Sequence, residues 1–189
     1  MSCHPRVTEW TDTIHTHLPH LSKPQATVLA LWSLGMVLAR SCALTAVSAF
    51  LAPWLGRKEN TMRQQLREFC YEAAAKRGTA CCALRVETCF VPLLAWVISL
   101  WQGTQLALAL DATTLGTRFT VLVLSVVYRG CAIPIVWVVL SATATHAWRR
   151  EWLRMLRQVH RAVPRSWTVL VLADRGLYRK FPPEKRHWY

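Results

Sequence analysis

The sequence predicts an α/β (α+β) protein with a helical region over residues 1–88, a mixed sheet with flanking helices over 89–180, and an irregular tail at 181–189. Three observations carry this. Apolar residues recur at helical spacing between residues 20 and 80. Three runs rich in apolar and β-branched residues follow, at 106–111, 119–128 and 131–140, joined by links containing Gly116 and Gly130. A helix-period segment then leads into a fourth such run, so the last connection is a crossover and not a hairpin.

The chain opens on Pro, Arg and Glu where an export signal would place an apolar run, so no such signal is visible. His15, His17 and His20 lie close together without acidic or cysteine partners, and they are read as polar residues on an irregular segment. Leu29, Trp32, Met36 and Ala39 mark one face of a helix from about residue 23, with a second short helix from Cys42 to Leu51. Pro53-Trp-Leu-Gly56 is a turn. Asn60 is placed to cap a helix from Thr61 to about Lys76, with Met62, Leu66, Phe69 and Ala73 inward and Gly78 at its end. Its exposed arginines suit a small DNA-binding region or an ordinary solvated face.

Residues 88–110 carry no charge over a length that could span a bilayer. Gln102-Gly103-Thr104-Gln105 divides them into a helix-length piece and a short strand. Two other apolar stretches, 26–55 and 119–148, hold Arg40 and Arg129 near their middles, where a bilayer would make them costly. Buried strands read as continuous apolar runs and imitate spans. A multi-pass membrane protein is nevertheless the alternative that composition leaves open.

Composition excludes a disordered chain, because 53% apolar residues, ten Trp and a mean hydropathy of +0.20 can bury a core. Lys and Arg number 23 against 10 Asp and Glu, for a net charge of +13, which calls for an anionic partner. Seven cysteines form no CxxC pair, and their irregular spacing points to reduced, buried thiols, not a disulfide framework.

The charge has a local pattern. Arg150, Arg154, Arg157 and Arg161 step by four, three and four residues along a helix predicted from about His146 to Val163. At helical pitch they share one side, while Trp152, Leu156, Val159 and Val163 share the other. One face packs on the sheet; the other is a line of positive charge. Pro164 stops the helix, and Trp167 to Asp174 forms the fourth strand.

After residue 88 the only acids are Asp111, Glu151, Asp174 and Glu184. Asp111 and Asp174 each end an apolar run, where strand propensity disfavours aspartate. Singly, each is an unremarkable strand cap. Side by side they would be like charges that need a cation between them, and Mg²⁺ accepts carboxylate oxygens with waters and phosphates.

Three ordered blocks sharpen this: Leu108-Ala-Leu-Asp111-Ala-Thr-Thr, Tyr128-Arg-Gly-Cys-Ala-Ile-Pro-Ile-Val-Trp137 and Val171-Leu-Ala-Asp174-Arg-Gly-Leu-Tyr178. Together with the strand and helix order they resemble the RNase H-like catalytic core of bacterial insertion-sequence transposases of the DDE class. The resemblance covers about residues 106–178 and implies an incomplete RNase H-like fold. It also implies Mg²⁺-dependent (or Mn²⁺-dependent) DNA cleavage and strand transfer at mobile-element ends, with Asp111 and Asp174 as catalytic, metal-binding acids. The arginine row, extended by Arg175, would contact DNA. The family's third acid is a Glu on a later helix. Glu184, within a Pro-broken tail, does not match it, so the expectation is a C-terminally truncated transposase, inactive by itself. The expected setting is cytoplasmic and nucleoid-associated, without a membrane partner, and homo-oligomers are compatible with it.

Overall fold

A computed structural model describes residues 4–76, 82–144 and 148–174. The chain divides into two compact units, residues 1–86 and 87–189.

The first unit is helical: α1 (Pro5–His17), α2 (Lys23–Ala39), α3 (Leu44–Trp54) and α4 (Glu59–Phe69). The segment expected to be irregular is α1. Pro5 sets the first turn, the His4 ring accepts from the Arg6 N–H at 3.3 Å, and Val7, Thr11 and Ile14 repeat at helical spacing and are buried. The Trp10 indole N–H donates to Ser33 Oγ at 2.8 Å, tying α1 to α2.

The buried face of α2 differs from the one expected. Ala26, Ala30, Leu31 and Gly35 are its buried residues, while Trp32 and Met36 pack at the margin. Small residues are inward because α3 comes close: a Cβ on Gly35 would stand 2.7 Å from Val47 Cγ1 and 2.9 Å from Leu51 Cδ1. Arg40, at φ 49°, ends α2 in the left-handed conformation, and the Ser41 N–H reaches back to Met36 O at 3.1 Å.

α3 runs through Pro53 where a stop was expected. Its last turn closes on Gly56, at φ 62°, with the Arg57 N–H bonded to Ala52 O at 2.8 Å. α4 starts two residues before Thr61, with Lys58 and not Asn60 as its cap, and ends at Phe69 instead of Lys76. After Phe69 no large apolar residue returns to the buried side marked by Met62 and Leu66, so further turns have nothing to bury. Val7, Leu31, Val47, Leu51, Met62 and Leu66 form the core of the unit.

In the second unit the charge-free run divides as expected, into α5 (Phe90–Ser99) and β1 (Gln105–Leu115). β2 (Phe119–Tyr128) and β3 (Cys131–Ser141) complete an antiparallel meander, α6 (Trp148–Ala162) follows, and β4 (Thr168–Ala173) lies parallel to β1. The fold is therefore mixed α/β, with strand order β3-β2-β1-β4. A bulge at Leu124/Ser125 leaves Ile135 unpaired in β3. Beside it Pro134, which has no N–H to give, is tolerated on this edge strand.

One side of the sheet is buried: Leu106, Leu108 and Leu110 alternate along β1 and meet Leu122, Leu124 and Val126 of β2. α6 runs against β2 and β3 and buries Trp152, Met155 and Val159. Leu156, expected inward, is half-buried, and Met155 takes that place.

Among the described residues no single helix is long and apolar enough to cross a membrane. Only α2 and α3 together meet the length, and they are bent by 98°. The thiols are less buried than expected. Cys42, Cys70, Cys82 and Cys131 are exposed and Cys89 is half-buried. Cys42, Cys70 and Cys131 lie at helix ends or at the start of a strand, where the chain turns at the surface. Cys3 and Cys81 lie outside the described residues.

Candidate functional site

β1 presents two faces. Leu106, Leu108 and Leu110 fill the core, so Ala107, Ala109, Asp111 and Thr113 must line the opposite face. Asp111 does not end the strand, as expected, but sits inside it opposite Val123. β1 continues because Thr113, Thr114 and Leu115 find partners in Val121, Thr120 and Phe119. Asp174, in contrast, directly follows the last residue of β4.

The parallel register decides what the two acids can do together. Leu110 is the partner of Ala173, the last pair of the register, and Asp111 and Asp174 are the residues that directly follow them. Alternation along β4 puts Leu170 and Leu172 on the Asp111 side, and Asp174 follows where the strand ends. Thr113 Oγ1 donates to Asp111 Oδ2 at 3.1 Å, which ties one carboxylate oxygen to its neighbour on the same face.

The face around the acids is apolar and open. Leu170 is 58% exposed and Leu172 44%, beside the small side chains of Ala107 and Ala109. Among the described residues no group of three or more His, Cys, Asp or Glu side chains converges as a metal cage. Glu184 and Arg175 lie outside the described residues. Carboxylate oxygens are hard donors of the kind that suit Mg²⁺ or Mn²⁺, which keep several waters and take one or two carboxylates with substrate phosphates.

The arginine row forms as its spacing requires. Arg150, Arg154, Arg157 and Arg161 are all exposed on α6, opposite the buried Trp152, Met155 and Val159. Arg154 is partly neutralised, with Nε 2.8 Å from Glu151 Oε2, close enough for an ion pair though not aligned as a hydrogen bond. The row points away from the sheet on which α6 packs, whereas the acids lie on strands, so the two present separate surfaces.

Sequence reasoning missed Thr113, although an acid and a hydroxyl two residues apart on a strand necessarily share a face. No family model, curated protein or solved structure matches this chain.

Proposed function

We propose that this chain carries part of the catalytic core of a DDE-class DNA transposase, an incomplete RNase H-like domain acting on mobile-element ends. The observation that carries the reading is the parallel pairing of β1 and β4, in which the paired residues Leu110 and Ala173 are each followed directly by an aspartate. The strand order β3-β2-β1-β4, with α6 between β3 and β4, adds to it.

Asp111 and Asp174 would hold the divalent cation, and Thr113, which donates to the Asp111 carboxylate, would limit its rotation. A bound Mg²⁺ or Mn²⁺ supplies positive charge at the scissile phosphate and lowers the pKa of an attacking water. Arg150, Arg157 and Arg161 hold DNA through its phosphates, which carries affinity without sequence preference. Two carboxylates are a partial ligand set, since Glu184 does not match the third acid of that family.

Titration of the purified chain with Mn²⁺, followed by electron paramagnetic resonance, tests this. Bound Mn²⁺ that disappears in both Asp111→Asn and Asp174→Asn is the expected result. Binding unaffected by either substitution would refute the site. A second reading, a basic DNA-binding protein without catalysis, draws on the exposed arginine row alone. It predicts salt-sensitive DNA retention with no Mn²⁺ bound at the aspartates.

A further inference from the structure

At the end of the sheet away from the acids, α5 gives way to a short wrap, residues 100–104, that leads into β1. The Trp101 indole N–H donates to Gln105 O at 3.0 Å, pinning the ring over the start of the strand. The Trp101 ring centre lies 5.2 Å from that of Tyr128, tilted by 57°. Arg129 then places its guanidinium 5.3 Å from the centre of the Tyr128 ring. These three side chains and the polar Gln102–Gln105 wrap border a cavity of about 620 Å³, within the range of small-ligand pockets.

The backbone adds an independent observation. Arg129 and Gly130, the two residues between β2 and β3, have φ 48° and 81°. Such a hairpin turn favours Asn or Gly at its first position, because L side chains disfavour the left-handed region. An arginine held there is strained, and sparsely populated backbone conformations gather at ligand-binding sites. Tyr128 keeps 43% of its surface exposed, although an aromatic ring in a sheet ordinarily gains by burial.

We propose that Trp101, Tyr128 and Arg129 form a stacking site for an unpaired nucleotide of a DNA strand. This rests on DNA being the partner, as in the proposed function. An open aromatic ring offers a base its π-face whatever the sequence, and the guanidinium meets the phosphate charge. Gln102 and Thr104 stand at the same cavity as hydrogen-bonding groups for a base edge. From Gln105 to Asp111 is six strand residues, about 20 Å, or roughly six base-pair steps of duplex.

The test uses the full chain, a labelled (dT)12 strand and a 12-base-pair duplex, read by fluorescence anisotropy. Arg129→Gly relieves the positive φ, so its melting temperature should equal or exceed that of the wild type. Its affinity for (dT)12 should nevertheless fall roughly tenfold, within the range for losing one stacked base, while duplex binding changes little. Tyr128→Leu, which spares the Trp101 hydrogen bond, should do the same. Wild-type affinity for (dT)12 in both variants, or an equal loss on duplex, overturns the stacking site. If the wild-type chain holds duplex but not (dT)12, only the stacking site falls; if it holds neither, the DNA reading falls with it.

Discussion

Leu110 and Ala173 are partners across the parallel strands β1 and β4, and each is followed directly by an aspartate, Asp111 and Asp174. Two carboxylates so placed repel each other unless a cation lies between them. Losing either ligand should weaken Mn²⁺ binding by at least the ~10–100-fold typical of losing even an outer-shell partner. Without metal the sign reverses: Asp111→Asn removes a like charge and should leave the melting temperature unchanged or slightly raised, measurable by calorimetry in the presence of a chelator.

The α6 row should set the salt dependence of DNA binding. Each arginine that neutralises a phosphate contributes about 0.9 to the slope of log affinity against log salt. Arg157→Ala and Arg161→Ala should each lower the slope by about that amount. Arg154→Ala should lower it less, since Glu151 already offsets its charge at 2.8 Å. Filter retention between 50 and 200 mM salt, on the order of the range where such slopes are read, measures all three.

Gly35→Ala should destabilise the helical unit although alanine favours helix by about 1 kcal/mol. The added methyl would stand 2.7 Å from Val47 Cγ1, and a β-branched side chain in a helix has one strongly preferred rotamer. Overpacking of this kind costs about 1–3 kcal/mol, enough to outweigh the propensity gain. Urea unfolding should show the loss, and a Gly35→Ala/Val47→Ala double variant should recover part of it by removing the clash.

Trp152 is fully buried, and among the described residues its indole N–H has no hydrogen-bond partner. Trp152→Ala should cost about 3–5 kcal/mol by leaving a cavity under α6. Trp152→Phe should cost much less, since it keeps most of the apolar volume and removes an unsatisfied donor. Equal losses in the two variants, by calorimetry, would mean the indole is not packed as described.

Burial raises the Cys89 thiol above its ordinary value near 9.0, with Glu87 adding to the rise and a Thr88 hydrogen bond opposing it. The thiolate is the reactive form, so alkylation of Cys89 should be slow at pH 8 and accelerate only above pH 9. The folded state holds this proton more tightly than the unfolded chain. Its contribution to stability is therefore fully present below the ordinary thiol value and is lost as pH rises through the folded one. Peptide mapping after timed alkylation reads the rate directly.

Much of this molecule is legible in its residues. Phe119–Tyr128 and Cys131–Ser141 announce themselves as strands through β-branched runs parted by Arg129-Gly130. The α6 arginine row follows from spacing alone. Other features were legible but obscured. In α1, clustered histidines drew attention from the Val7, Thr11, Ile14 period. In α2, large residues marked a face that small ones in fact occupy, because close packing of α3 rewards the absence of a side chain at Gly35. The length of β1 was hidden because Thr113–Leu115 are strand only through their partners on β2.

The sequence by itself determined the kinds of elements, their order, and the two carboxylates that follow apolar runs, all set by patterns local to a few turns or residues. Tertiary structure decided that β4 crosses back to lie beside β1, more than fifty residues earlier in the chain, and not beside β3. That pairing joins backbone hydrogen bonds of segments far apart in the chain, which no local pattern encodes. It is also what brings Asp111 beside the strand that Asp174 follows.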